Sequence, residues 1–142
     1  MLVAPDAQTV AIRGADGLLH FVGKPKDRFV AREWLRRDGD GRDIMEAVGD
    51  PAIKCDGVGC VAKAKVLVAV SQKPESLGED CALAKIVVSA VAAPGCKGPA
   101  VVIDRDMAMT GQGWRVRLSP ELSAQSVRTA RGARPWVQTP PR

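Results

Sequence analysis

The chain has 142 residues, which is the size of one domain and long enough to bury a hydrophobic core. Its apolar fraction of 46% is ordinary for a globular protein, and no apolar run approaches the roughly 18 residues that a membrane-spanning helix needs. The N-terminal residues lack the charged-then-apolar layout of a signal peptide, so composition predicts a soluble piece of chain, as a domain excised from a larger protein would be. The formal net charge of +5 would attract polyanions, although the arginines are spread along the chain.

The first part of the chain predicts a β-hairpin followed by an amphipathic helix. Residues 9–13 and 18–22 are strand-like, and Gly-Ala-Asp-Gly between them is a turn sequence. The apolar spacing then predicts a helix over residues 27–37. Asp27 is a suitable N-cap, and arginines in the last turn suit the helix dipole.

The middle of the chain predicts a βαβ unit. Residues 65–70 and 86–91 are continuous apolar runs, which are typical of strands covered on both faces. Between them, Pro74 occupies a suitable first helical position. Strand, helix and strand at this spacing give two parallel strands, and residues 100–104 would add a third. The fold class we predict is therefore a small, layered α/β domain with a mixed sheet.

The C-terminal part predicts a hairpin and a tail. Residues 107–118 read as a terminal hairpin, with Arg115 and Arg117 on one face and tryptophan, valine and leucine on the other. Residues 128–142 form a basic, proline-containing segment that we expect to be largely disordered. The predicted domain therefore covers residues 1–127.

The four cysteines leave two interpretations open. Their spacings, C-x4-C and then C-x14-C, match poorly with the paired C-x-x-C knuckles of zinc sites. In the predicted βαβ unit, Cys81 lies near the start of the parallel strands beside Cys60, whereas Cys96 is expected toward the opposite end of the sheet unless the loop before it doubles back. Four converging metal ligands are therefore not expected. A Cys55–Cys60 disulfide and four reduced cysteines remain about equally favoured.

Other candidate chemical groups are few. His20 is the only histidine, so the chain cannot build a His-rich zinc cluster and has no obvious general base. Because it alternates with two apolar neighbours in the second strand of the hairpin, we expect a surface or edge-strand position. Asp104 and Asp106 follow the third core strand, where α/β proteins often place functional carboxylates. An ordinary ion-paired strand end explains these two residues equally well.

Several separated segments of the sequence carry a family resemblance. They are FVAREWLRRDGDGRD, CDGVGCVAK, EDCALAKIVVSAV, CKGPAVVIDRDMAMTGQGWRVRL and RPW, in this order. Together they closely resemble the C-terminal soluble region of the ComEC-type DNA-internalisation competence proteins of alphaproteobacteria. The resemblance runs from about Leu2 to Trp136, which is nearly the whole chain.

The resemblance implies a fold, a compartment and a partner. These multi-pass inner-membrane proteins are thought to carry transforming single-stranded DNA across the cytoplasmic membrane. Many of them end in an outward-facing, metallo-β-lactamase-like domain, and this chain resembles a shortened, divergent version of that αββα sandwich. An outward-facing domain lies in a disulfide-permissive compartment, so the resemblance favours a Cys55–Cys60 bridge. Cys81 and Cys96 would then be either linked to each other or free.

The metal-binding motif of that family is absent from the chain. The metallo-β-lactamase fold works through an H-x-H-x-D-H cluster, and a sequence with one histidine cannot supply it. No catalytic residue, metal ligand or cofactor can therefore be carried over. The resemblance then implies a non-catalytic accessory domain that contacts single-stranded DNA or braces the membrane-embedded part of its parent protein.

The DNA-binding interpretation names specific residues. The candidate phosphate contacts are Arg36, Arg37, Arg115 and Arg117, and the candidate stacking partners are Trp34 and Trp114. Both tryptophans fall at apolar-face positions, so core packing is favoured for them. The alternatives are a residual Mg²⁺-dependent nuclease that uses Asp104 and Asp106, and a protein-docking domain without nucleic-acid affinity.

Overall fold

Strand pairing divides the computed structural model, which describes residues 1–132, into two sheets of five strands each. Numbered along the chain, the strands are β1 (Leu2–Val3), β2 (Val10–Arg13), β3 (Leu19–Phe21), β4 (Ile53–Cys55), β5 (Gly59–Lys63), β6 (Leu67–Ser71), β7 (Ile86–Ser89), β8 (Val101–Ile103), β9 (Trp114–Arg117) and β10 (Ser123–Ser126). The first sheet has the spatial order β10-β9-β1-β2-β3, and the second has the order β4-β5-β6-β7-β8.

Four α-helices lie within the described part of the chain: α1 (Arg28–Arg37), α2 (Leu77–Leu83), α3 (Arg105–Thr110) and α4 (Val127–Arg131). The predicted first helix is confirmed, and the Asp27 side chain caps it by accepting a hydrogen bond of 3.0 Å from the Val30 amide. A short 3₁₀ turn, Pro74–Ser76, leads directly into α2.

The first sheet is antiparallel and joins the two ends of the described chain. Its central strand, β1, pairs with β2 on one side and with β9 on the other. In that second pairing Leu2 lies opposite Arg115 and Val3 lies opposite Trp114. The two-residue strand β1 therefore holds in place β9, the strand that carries Arg115 and Arg117.

The second sheet contains the predicted βαβ unit. The strands β4, β5 and β6 form an antiparallel meander, and β6, β7 and β8 run parallel to one another. The apolar strands β6 and β7 are buried along almost their whole length, because another layer covers each face of the sheet. The prediction of an α/β domain with a mixed sheet is confirmed.

Three apolar clusters define the order of the layers. The largest lies between the two sheets and joins Val3, Val10, Ile12 and Val116 of the first to Ala62, Val68, Val70, Ile86, Val88 and Ile103 of the second. The outer face of the first sheet packs under α1 through Ala11, Leu19, Phe21, Ala31 and Leu35. On the outer face of the second sheet, Ala69 and Val87 pack against Ala84, which directly follows α2. The order is helix, sheet, sheet, helix.

The prediction of a hairpin over residues 107–118 is wrong in its first half. Residues 107–110 belong to α3, because the Asp104 side chain accepts a hydrogen bond of 3.0 Å from the Met107 amide and so caps a helix there. The strand begins only at Trp114, and the strand with which it forms a hairpin is the later strand β10. The alternation within β9 is as predicted: Val116 is buried, and Arg115 and Arg117 are exposed.

The structure differs in part from two further expectations, which concern His20 and the C-terminal tail. His20 lies on the edge strand β3, which is one of the two expected positions, but it is buried, with 8% of its surface exposed. Its Nδ1 lies 2.9 Å from the Gly49 carbonyl oxygen, and its Nε2 lies 2.9 Å from an Asp16 carboxylate oxygen. Of the tail predicted over residues 128–142, residues 128–131 belong to α4, and residues 133–142 lie outside the described part of the chain.

None of the helices within residues 1–132 combines the length and the apolar character needed to cross a membrane.

Candidate functional site

Three of the four candidate arginines meet in one cleft. The cleft has a volume of about 870 Å³ and lies between α1, the strands β1 and β9, and the start of α4. Arg37, Arg115 and Arg117 line it, and two arginines that sequence analysis did not propose, Arg13 and Arg131, line it as well. We call this feature the basic cleft.

The basic cleft follows from the alternation of β9 and the spacing of α1. In β9, Val116 points into the core between the sheets, so Arg115 and Arg117 project from the opposite face of the first sheet. The helix α1 packs against that same face and brings Trp34 and Arg37, which are three residues apart, to the cleft.

Arg36 lies elsewhere. It is exposed on α1, does not appear among the described residues that line the cleft, and pairs with Glu33 at 2.8 Å. Hydrogen bonding to Glu33 raises the pKa of Arg36 and lowers that of the glutamate. The structure therefore separates Arg36 from the other three candidates.

The electrostatic balance of the basic cleft is positive. Five arginines face two carboxylates, Glu33 and Asp38, among the described residues that line it. Asp38 forms an ion pair with Arg13 at 2.8 Å. The pKa of the Met1 amino group, which also lines the cleft, falls to about 6, first because the group is buried and then because Arg13 and Arg115 add positive potential.

Three aromatic side chains line the same cleft but differ in how freely they are exposed. Trp34 stacks on Phe21, with ring centroids 6.3 Å apart and planes at 13°, and Trp114 donates a hydrogen bond of 2.9 Å from Nε1 to the Met107 carbonyl. Both tryptophans therefore hold the fold together. Phe29 also lines the cleft and is 74% exposed. It is the aromatic ring with a free face, and sequence analysis missed it.

The residues that line the basic cleft are suited to binding a ligand that carries phosphates and bases. Arginine forks recognise phosphate oxygens, and an exposed aromatic ring offers a stacking surface for a base. Across residues 1–132, no group of three or more histidine, cysteine, aspartate or glutamate side chains is placed to hold a metal ion.

The two candidate carboxylates do not form a pair that faces the cleft. The oxygens of Asp104 accept hydrogen bonds of 3.0 Å from the Met107 and Ala93 amides, so this side chain caps α3 and holds the preceding loop. Asp106 is exposed, and one of its oxygens lies 3.4 Å from Nε of Arg105.

All four cysteines form disulfides. Cys55 and Cys60 are directly opposite each other in the β4–β5 ladder, with Cα atoms 4.0 Å apart, and Cys81 is bonded to Cys96 across 5.3 Å between Cα atoms. Cys96 does not lie at the far end of the sheet, because the loop that carries it doubles back, which is the alternative that the sequence left open. Because β7 and β8 are parallel, the segment between them must return to the starting end of the sheet, where the Ala100 amide bonds to the Lys85 carbonyl.

Comparison with known proteins adds no assignment. A scan against models of protein families finds no match to this chain, and searches of the curated proteins and of the solved structures find none either.

Proposed function

We propose that this chain is a non-catalytic accessory domain that binds single-stranded DNA in the basic cleft, on the outward side of a ComEC-type DNA-uptake protein. The observation that carries the proposal is the convergence of Arg37, Arg115 and Arg117 on one cleft beside the exposed ring of Phe29. Phe29 and Arg37 lie far from Arg115 and Arg117 in the sequence, and the pairing of β1 with β9 and the packing of α1 bring the two groups together.

The chemistry of the basic cleft favours a single strand over a duplex. Guanidinium groups contact phosphates in either form, but stacking on an aromatic side chain requires a base that is free of its neighbours. The order helix, sheet, sheet, helix and the Cys55–Cys60 disulfide are also what the family resemblance leads one to expect of an outward-facing domain, and the Cys81–Cys96 disulfide is compatible with it. They support the membrane-protein parent as a proposal.

The proposal is tested by the binding of a fluorescein-labelled oligothymidylate, followed by fluorescence anisotropy over a range of NaCl concentrations. We expect measurable affinity at low salt and a log–log salt slope of about −0.7 for each phosphate that the protein binds. The double substitution Arg115→Gln and Arg117→Gln should weaken binding and make the slope shallower by about 0.7 for each phosphate that the variant no longer binds.

A matched pair of variants on α1 separates the cleft from general attraction. Arg37 lines the cleft, whereas Arg32 is exposed on the same helix and is not among the described lining residues. Arg37→Gln should lower affinity clearly more than Arg32→Gln. The absence of binding at low salt would remove DNA from the proposal and leave a docking or bracing role for the domain. Equal effects of these two substitutions would show that DNA is attracted by the general positive charge and is not held in the cleft.

The nuclease alternative has weaker support, because the Asp104 carboxylate is used in capping and in holding a loop. Incubating the labelled oligonucleotide with the protein and Mg²⁺, Mn²⁺ or Zn²⁺ tests it directly. Cleavage that Asp104→Asn and Asp106→Asn abolish in a folded protein would replace the accessory role with a catalytic one.

A further inference from the structure

The Cys55–Cys60 disulfide lies at an open edge of the second sheet. The strand β4 is an edge strand, Cys55 is exposed, and Cys60 is 7% exposed. Both cysteines line a pocket of about 240 Å³ that is open to solvent, and the exposed residues Lys24 and Lys26 line the same pocket. A disulfide is thus presented to solvent in a pocket that two lysines and one carboxylate, Asp56, also line.

The hairpin that carries this disulfide has other bonds that hold its shape. An oxygen of Asp56 accepts hydrogen bonds from the Val58 amide at 2.8 Å and from the Gly59 amide at 3.0 Å, and the Asp56 amide donates to the Gly59 carbonyl at 2.9 Å. The strand β5 is also paired along its whole length with β6. Opening the bridge therefore does not require the hairpin to unfold.

The second disulfide has a different setting. It joins α2 to the segment between β7 and β8, and Cys96 packs against the apolar cluster of Ala69, Ala84 and Val87. A Cβ placed on Gly98 would clash with the Cys81 carbonyl oxygen, so the returning loop fits closely over this bridge. Opening it would release the loop from the helix.

We propose that the Cys55–Cys60 pair is a site of thiol–disulfide exchange with dithiols, whereas Cys81–Cys96 is a structural bridge. A thiolate of the dithiol attacks Sγ of Cys55, the exposed sulfur, and forms a mixed disulfide as the Cys55–Cys60 bond breaks. The electron pair of the broken bond leaves on Sγ of Cys60 as a thiolate. The second thiolate of the dithiol then attacks the sulfur of the same dithiol molecule that is bonded to Sγ of Cys55. This closes the dithiol into a disulfide and expels the Cys55 thiolate.

The balance of this exchange is complete. Two electrons pass from the dithiol to the cysteine pair, the dithiol becomes a disulfide, and its two protons end on Cys55 and Cys60. Among the lining residues Lys24 and Lys26 outnumber the one carboxylate, Asp56, so the pocket favours the thiolates that form in it and makes Cys60 a better leaving group. The reverse reaction, with an oxidised dithiol, closes the bridge again.

The test uses the folded chain with dithiothreitol as the probe. Samples are quenched with acid at intervals, alkylated, and mapped by mass spectrometry, while circular dichroism follows the fold. We expect Cys55 and Cys60 to become alkylated about tenfold sooner than Cys81 and Cys96, with the circular dichroism unchanged during that first phase. Simultaneous alkylation of all four cysteines, or loss of the fold together with the first bridge, would overturn the proposal.

Two sets of variants test the assigned roles. The Cys55 thiol of Cys60→Ser should react faster with 5,5′-dithiobis(2-nitrobenzoate) than the Cys60 thiol of Cys55→Ser, and the opposite order contradicts attack at Cys55.

Replacing Lys24 and Lys26 by Gln should slow reduction by dithiothreitol about two- to fivefold at low ionic strength. Lys63→Gln, at the other end of β5, should leave the rate unchanged. If the Lys24 and Lys26 variant, the Lys63→Gln control and the wild-type chain are all reduced at the same rate, Lys24 and Lys26 do not belong to the site.

Discussion

Arg13 and Asp38 form a bidentate ion pair that links the C-terminal end of α1 to strand β2 of the first sheet. Nη1 of Arg13 lies 2.8 Å from Oδ2 of Asp38, and Nη2 lies 3.0 Å from Oδ1. A negative charge at the C-terminal end of a helix is unfavourable for the helix dipole, so Arg13 explains why an aspartate ends α1. Hydrogen bonding to Asp38 raises the pKa of Arg13 and partly neutralises one arginine of the basic cleft.

Replacing Asp38 by Asn should strengthen DNA binding. The change frees Arg13 for a phosphate, so we expect the affinity for a labelled oligothymidylate at low salt to rise about two- to fivefold. Stability should fall by less than about 1 kcal/mol, because both partners are partly exposed. Anisotropy titration and urea denaturation measure the two effects. Asp43→Asn makes the same charge change at an exposed position outside the cleft, and an equal rise in affinity there would assign the effect to net charge alone.

The glycines of the β4–β5 hairpin should differ sharply in their tolerance of a side chain. A Cβ on Gly59 would lie 2.5 Å from the Val70 carbonyl oxygen, which is backbone of the neighbouring strand and cannot move aside, whereas a Cβ on Gly57 would meet open space. We expect Gly59→Ala to lower the free energy of unfolding by about 1–3 kcal/mol and Gly57→Ala to leave it nearly unchanged. Urea denaturation of the two variants side by side measures the difference, and equal stabilities would contradict the packing at Gly59.

Acid should destabilise the chain partly through Asp40. Hydrogen bonds from the Arg42 side chain, followed by one from its amide, lower the pKa of this carboxyl. A carboxyl whose pKa is lower in the folded state stabilises the fold above its unfolded value of 3.8, and this contribution is lost as the pH falls through the lower, folded value. Asp40→Asn should therefore be less stable than the wild type at pH 7, and the two should converge in strong acid.

Urea denaturation at a series of pH values measures this convergence. The Arg42 side chain also donates to the Leu19 carbonyl at 2.5 Å, so the pair supports the edge strand β3. Asp43→Asn serves as the control on the same loop and should run parallel to the wild type. A constant gap between Asp40→Asn and the wild type down to strong acid would show that this carboxyl does not contribute to acid sensitivity.

The parts of the fold that can be predicted from the sequence are those with strong local patterns. The helix α1 has an apolar spacing and an N-cap within ten residues, and β6 and β7 are apolar runs because both of their faces are covered. The helix α3 escapes prediction because its few residues carry no helical period, and its cap, Asp104, fits a strand end equally well. A single hydrogen bond to that carboxylate decides between the two structures.

The basic cleft depends on non-local pairing, which sequence patterns do not encode. Arg115 and Arg117 can be placed on one face of a strand, but the partner of that face, α1, lies about eighty residues earlier in the chain and reaches it only through β1. The position of Cys96 is a different case, because the sequence left open whether its loop doubles back. The correctly predicted parallel strands already require the chain to return to the starting end of the sheet.

The Cys81–Cys96 bridge should stabilise the fold more than the Cys55–Cys60 bridge. The two bridges span sequence separations of 15 and 5, so chain entropy favours the longer one, with expected contributions of about 3 and 2 kcal/mol. Paired Cys→Ala variants, unfolded in urea without reductant, measure both contributions. A larger drop in stability from removing Cys55–Cys60 would contradict the division into a structural bridge and an exchanging one.

Phe29 should contribute to DNA binding without contributing to stability. With 74% of its surface exposed at the rim of the basic cleft, the ring loses little packing when it is truncated, so Phe29→Ala should unfold at nearly the same urea concentration as the wild type. A base stacked on the ring is worth about 1–3 kcal/mol, so the affinity for oligothymidylate should fall about five- to 150-fold. Met45→Ala removes a large apolar side chain that is 58% exposed and is not among the described lining residues, and it should leave affinity unchanged. If Phe29→Ala and Met45→Ala bind equally well, the cleft holds DNA through its arginines alone.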